Sequence, residues 1–159
     1  MIEVPDNEFL VSKTNEKGII TYANTTFIKV SGYTEEELVG KNHNMVRHPD
    51  MPRTIFKLLW DTIKEGKEFW GYVKNRAKNG DYYWVFAHVT PSYDETGRRI
   101  IGYQSDRRKP RREAVEKAEA LYRKILEAEK IGGMQAGERL LNQVLNESGM
   151  SYEEFVWTL

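Results

Sequence analysis

The sequence predicts an α+β domain, an antiparallel sheet with short helices gathered on one face, followed by a helical extension. Three observations carry this. Short alternating apolar segments bounded by Gly, Asn and Asp turn signals mark strands before residue 24 and again after residue 68. Between them lie short stretches with apolar residues at helical spacing and recognisable caps. From Pro110 onward the composition changes to Glu, Ala, Leu, Lys and Arg, which sets the boundary between a globular unit, 1–109, and an extension, 110–159.

The elements follow in order. Phe9 to Lys13 and Ile19 to Tyr22 read as two strands joined by the turn Asn15-Glu16-Lys17-Gly18. Asn24 caps a short helix carrying Phe27, Ile28 and Val30. Thr34 and Glu37 stand at capping-box spacing for a second. Residues 52–65 place Ile55, Phe56, Leu59, Trp60 and Ile63 on one helical stripe, with Pro52 as starter, Gly66 as stop and Asp50 as a candidate cap. Strands at 69–77, 81–91 and 99–106 are separated by Asn79-Gly80 and Asp94-Glu95-Thr96-Gly97. In the extension, Val115, Ala118, Tyr122 and Ile125 form an amphipathic stripe, Gly132-Gly133 breaks it, and 134–147 and 151–158 read as two further helices.

Composition narrows function by exclusion. The chain has 159 residues, 24 basic and 24 acidic, with no net charge, so there is no overall electrostatic case for nucleic acid or an anionic membrane surface. Nineteen aromatics support a real core, and the absence of Cys removes disulfides, zinc-thiolate sites, iron–sulfur clusters and thiol nucleophiles. The N-terminus lacks a signal-peptide pattern and no apolar run is long enough to span a membrane, so a cytoplasmic protein is expected. The basic run Arg107 to Arg112, interrupted by Pro110, reads as a solvated linker or as a docking patch for an acidic partner.

Strand alternation sorts side chains into faces. Phe69, Gly71, Val73 and Asn75 share one face of their strand, with Trp70, Tyr72, Lys74 and Arg76 on the other. In the next strand Tyr83, Val85, Ala87 and Val89 oppose Tyr82, Trp84, Phe86 and His88. The small-residue face suits a pocket containing a lone amide, Asn75. The aromatic face, which Tyr103 is expected to join, needs a cover: the C-terminal tail, a second copy or a partner. His88 then lies outside the pocket. The loop Lys41 to Arg53 supplies Arg47 and His48, fit for a pyrophosphate or simply solvated, and Trp60 is a flat pocket wall or an ordinary core indole.

Three stretches resemble a PAS domain over about residues 8–107: Tyr22-Ala23-Asn24 with Val30-Ser31-Gly32-Tyr33; Pro49 to Trp60 with Gly66; and Asn75 to Gly80 leading into Tyr83-Trp84-Val85. The run His43-Asn44-Met45-Val46-Arg47-His48-Pro49-Asp50-Met51-Pro52 is narrower. It resembles the flavin-binding PAS domain of bacterial aerotaxis receptors and, more loosely, that of the flavin redox sensor in nitrogen-fixation control. The tail resembles that of small PAS-only proteins from bipartite energy-taxis systems.

The resemblance implies a five-stranded antiparallel sheet and helices around non-covalent FAD. It also implies a redox, energy or oxygen-status sensor, not an enzyme, that signals to a separate chemoreceptor-like transducer. As homodimer or hetero-complex it would contact others through the outer sheet face, with no nucleic acid and no membrane insertion. The cofactor contacts so implied are Ser12, His43, Asn44, Arg47, His48, Trp60, Phe69, Asn75, Val85 and Gln104. Gln104, two residues after Gly102, also resembles the amide of light-sensing flavin PAS domains, yet without Cys the photosensors' adduct chemistry is excluded. Phe69-Trp70-Gly71 stands where the flavin domains have Trp-Ser-Gly. Haem held by His43 or His48, and a cofactor-free interaction module, are the alternatives.

Overall fold

The computed structural model describes every residue from Met1 to Leu159. The order is β1 (Leu10–Asn15), β2 (Ile20–Ala23), α1 (Thr25–Ser31), α2 (Glu35–Leu38), a 3₁₀ turn (His43–Val46), α3 (Arg53–Lys64), β3 (Phe69–Arg76), β4 (Tyr82–Tyr93), β5 (Ile100–Arg108), α4 (Arg112–Ser148) and α5 (Tyr152–Thr158). The strands form one antiparallel sheet in the order β2-β1-β5-β4-β3. It is the α+β architecture expected, with α1 to α3 on one face.

Local chemistry fixes the short helices, which are too brief to be stable alone. Asn24 accepts from Phe27 N at 3.0 Å to start α1. The Thr34–Glu37 capping box is complete, and Ser151 with Glu154 makes a second one at α5. Each such cap contributes about 1 kcal/mol. The expected break in the extension is a single left-handed residue, Gly133, at φ 72°, which divides α4 into segments 112–132 and 134–148.

Register decides which side chains meet. Ala87 pairs with Arg107, Val89 with Ser105 and Pro91 with Tyr103, while Ser12 pairs with Ser105 and Leu10 with Arg107. Paired residues share a face, so the inner face carries Ser12, Tyr103, Ser105 and Arg107. The outer face carries Gln104, Asp106 and Arg108. Tyr103, expected with the outer aromatics, therefore lies on the inner side.

The outer aromatic cluster is covered by the chain's own extension. Tyr122 stacks over Trp84 at 6.2 Å, and Trp157 packs on Trp70 and Phe86 at 5.0 and 5.4 Å. Such pairs add about 0.5–1.5 kcal/mol each beyond the area they bury. His88 stacks on Trp70 at 3.6 Å and bonds Glu68, clear of the inner face as expected. The edge strand β3 is guarded from two sides: from the extension the Tyr122 hydroxyl donates to Tyr72 O at 2.6 Å, and from the loop before α3 His48 N donates to Lys74 O at 3.4 Å.

Candidate functional site

A cavity of about 870 Å³ lies between the inner sheet face, the 3₁₀ turn and α3, within the usual range for small-molecule sites. Its flat and apolar walls are Trp60, Tyr103, Phe56, Val73, Ala87 and Val89. Trp60 meets the Tyr103 ring edge-on at 5.6 Å. Cations cluster toward α3, with Arg47, Arg53, Lys57 and Lys64 all on the lining. Ser12, His43, Asn44 and Asn75 line it as well, and Arg107 and Ser105 complete the sheet side.

The deep end is built around Arg107, whose side chain is buried in the core with only 2% of the residue exposed. Its Nη2 donates to Ser12 Oγ at 2.9 Å, its Nη1 to His43 Nε2 at 3.0 Å and its Nε to Leu10 O at 3.4 Å. The guanidinium lies 4.3 Å over the Phe27 ring, on which His43 also stacks at 5.7 Å. Because Nε2 accepts from Arg107, His43 is the neutral tautomer with its proton on Nδ1. Ser12 Oγ sits 2.8 Å from the same Nε2. Burial, reinforced by the Arg107 charge, holds the His43 pKa down to about 3. Burial also lowers that of Arg107 to about 10, far above neutrality, so a positive charge sits in the wall. No carboxylate pairs with it. A buried cation without an anion is expensive, and such a site is matched by a ligand that brings electron density.

Asn75 faces the same space from β3, opposite Tyr83. The neighbouring Tyr83 hydroxyl is buried with no hydrogen bond of good geometry, and the Asn75 side chain lies near enough to it to oppose the rise in its pKa. Burial pushes the Tyr83 pKa up to about 12. The strand is held at this point by a bridge between Arg47 and Asn75. Arg47 then lays its guanidinium 4.1 Å over Phe56.

Four expected contacts lie elsewhere. Gln104 is on the outer face, where its amide donates to Asp106 at 3.1 Å; regular alternation in β5 puts Tyr103, Ser105 and Arg107 inward instead. Phe69 is on the inner side of β3 but stacks on Tyr152 of α5 at 5.6 Å, away from the cavity surface. Val85 is fully buried behind that surface. His48 lines an adjoining hollow of about 510 Å³ with Asn44, Arg47, Arg53 and Glu129. Its Nδ1 accepts from Asp50 N at 3.0 Å. Burial first, then the Lys74 charge, lowers its pKa, so its 3.7 Å approach to Asp50 is not an ion pair at neutral pH.

Two residues that matter were read differently in the sequence. Arg107 looked like linker because it opens a basic run, whereas β5 continues to Arg108 and carries it into the core. Alternation carried one residue past 106 places it on the inner face. Asp50 does not cap α3; it binds Lys74 Nζ at 3.0 Å. Glu129 of α4 does so, accepting from Arg53 N at 3.2 Å and from Thr54 N and Oγ1 at 2.8 and 2.6 Å. No local sequence signal announces a cap supplied from so far along the chain.

The comparisons with known proteins agree with this architecture. The chain is 48% identical over 120 residues to an aerotaxis receptor of Escherichia coli (strain K12), which covers 76% of this chain and 23% of the receptor. It is 30% identical over 87 residues to a nitrogen fixation regulatory protein of Klebsiella pneumoniae, covering 55% of this chain and 18% of that protein. The chain thus spans less than a quarter of either relative's length. A solved light-oxygen-voltage domain, described through a flavin analogue, has the same fold at a TM-score of 0.60 and 19% identity, over 69% of this chain and 81% of that one. The family model described as the PAS fold matches residues 20–104, more than half of the sequence, and the chain belongs to that family.

Proposed function

We propose that this protein is a flavin-binding sensor of redox, energy or oxygen status, with FAD as the cofactor, and that it signals to a separate chemoreceptor-like transducer. In this reading residues 1–109 are the sensor and 110–159 a helical extension. The protein would work in the cytoplasm as a signalling module, not an enzyme; no helix is long and apolar enough to cross a membrane. Similarity to an aerotaxis receptor supports the taxis role.

The observation that carries the reading is the buried, unpaired Arg107 joined to Ser12 and His43 in the wall of a flat-sided cavity. A bound flavin supplies reversible uptake of electrons and protons on its ring. Arg107 holds a fixed positive charge beside the ring space, which favours added electron density there. Ser12 offers a hydroxyl and Asn75 an amide, and each can donate or accept. Trp60 and Tyr103 supply flat apolar contact, and Arg47 and Arg53 supply charge for phosphates. Haem matches less well, because His43 Nε2 is already taken by Arg107 and His48 lies in the side hollow.

The test is an absorption spectrum of the purified protein before and after adding FAD and then dithionite. The twin bands of oxidised flavin, bleaching on reduction, are expected. A Soret band would replace this reading with a haem sensor. No chromophore after FAD loading would leave a cofactor-free interaction module.

A further inference from the structure

The carboxylate of Glu129 is buried, only 8% of the residue being exposed, yet it belongs to the extension and not to the core it caps. It fills the N-terminus of α3, taking the three donors of Arg53 N, Thr54 N and Thr54 Oγ1. α3 has no cap of its own, since its N-cap residue is Pro52. Arg47 and Arg53 line both the main cavity and the hollow that Glu129 closes. Burial lowers the Arg47 pKa and the Glu129 charge opposes that shift. Arg47 therefore feels a fixed internal anion while lining the ligand space, and Arg53 meets the same carboxylate through its backbone N.

The second segment of α4 is fastened to this contact. A Cβ on Gly137 would strike Thr54 Oγ1 and come within 2.9 Å of Glu129 Cγ, so only glycine lets the helix close over the pair. Just before it, the turn at Gly133 (φ 72°) provides a hinge with no side chain against it.

We propose that Glu129 competes internally with a ligand's phosphates for the charge of Arg47, so that filling the cavity with an anionic ligand loosens segment 134–158. The inference rests on the flavin reading for the ligand's identity, and on the chain alone for the competition. Phosphate oxygens at the arginines would stand beside a carboxylate of the same sign in a partly buried site, where like charges are poorly screened. Coupling of this kind is reciprocal: what the ligand does to the extension, the extension does to the ligand. Glu129 is thus a positioning residue for the start of α3, where Arg53 sits, and the extension is the element that reports occupancy.

The experiment compares FAD with riboflavin, which carries the ring but no phosphate, on the full chain. Amide hydrogen exchange over 134–158 should speed up with FAD and stay unchanged with riboflavin. Glu129→Gln keeps an accepting oxygen for the α3 amides but removes the charge. It should tighten FAD binding about 5- to 20-fold, the usual span of such coupling, and leave riboflavin binding as it was. Gly137→Ala, which wedges the extension off with Glu129 intact, should tighten FAD binding in the same direction. Unchanged or slower exchange with FAD, or equal FAD affinity in wild type and both variants, would overturn the proposal. If neither flavin binds, the flavin reading fails, and inorganic pyrophosphate becomes the probe: faster exchange over 134–158 upholds the competition, and no change ends it.

Discussion

The two faces of the one sheet are built on opposite principles. Outward, Trp70, Trp84 and Phe86 are sealed by Tyr122 and Trp157, so apolar surface meets apolar surface and hydroxyls find carbonyls. Inward, the site holds a cation without an anion, a histidine kept neutral, and a phenol with no hydrogen bond of good geometry. The outer face accounts for stability, and the inner face leaves interactions incomplete where a ligand would complete them. Alternation lets one strand serve both ends, since Arg107 and Arg108 are neighbours facing opposite ways. Arg108 lies 5.4 Å over Phe86 outside, while Arg107 is locked inside.

Breaking the outer face should have the largest effect. Trp84→Ala removes the indole under Tyr122 and is expected to cost about 3–5 kcal/mol in denaturant unfolding, with little change in ligand affinity for the protein that remains folded. A loss under 1 kcal/mol would show that the extension does not press on the sheet in solution.

The next effect comes from His43. Its folded pKa of about 3 lies below the ordinary value, so between these limits the unfolded chain takes up a proton that the folded one refuses. Stability from this group is full above about pH 6.5 and falls as pH drops, by up to about 1.4 kcal/mol per unit. Relative to His43→Gln, the wild type should lose about 2 kcal/mol between pH 6.5 and 5. A pH-independent difference would place the imidazole in water.

Arg107→Met should invert the usual sign. Replacing a buried unpaired cation with an apolar chain of similar length is expected to stabilise the ligand-free protein by about 1–2 kcal/mol while lowering FAD affinity at least tenfold. Destabilisation together with unchanged binding would make Arg107 a structural strut. The smallest effect belongs to Gln104→Ala. On the outer face it should alter stability by less than about 0.5 kcal/mol and leave the flavin spectrum and potential unmoved. A shifted potential would mean that the amide reaches the ring after all.

Much of this arrangement was legible in the residues. Alternation in β3 and β4 assigned both faces, Asn24 and Thr34 announced their helices, and Gly132-Gly133 announced the break. What escaped did so for physical reasons. A run of positive charge is ordinarily solvated, so Arg107 hid at the head of one, and strand ends are set by pairing with β1 and β4, not by composition. Gln104 was carried inward by its spacing from Gly102, although register with Lys13 and Thr90 fixes the opposite side. Glu129 caps a helix far upstream, and only folding makes that contact.

The seal on the outer face also has a schedule. Trp70 and Phe86 leave the ribosome well before Trp157, which finally covers them. At about 5–20 residues per second, the sheet would carry an open aromatic patch for several seconds of every synthesis. During that interval the nascent chain is a natural client for a chaperone, and a ribosome stalled in the extension would release a sheet that is paired but sticky.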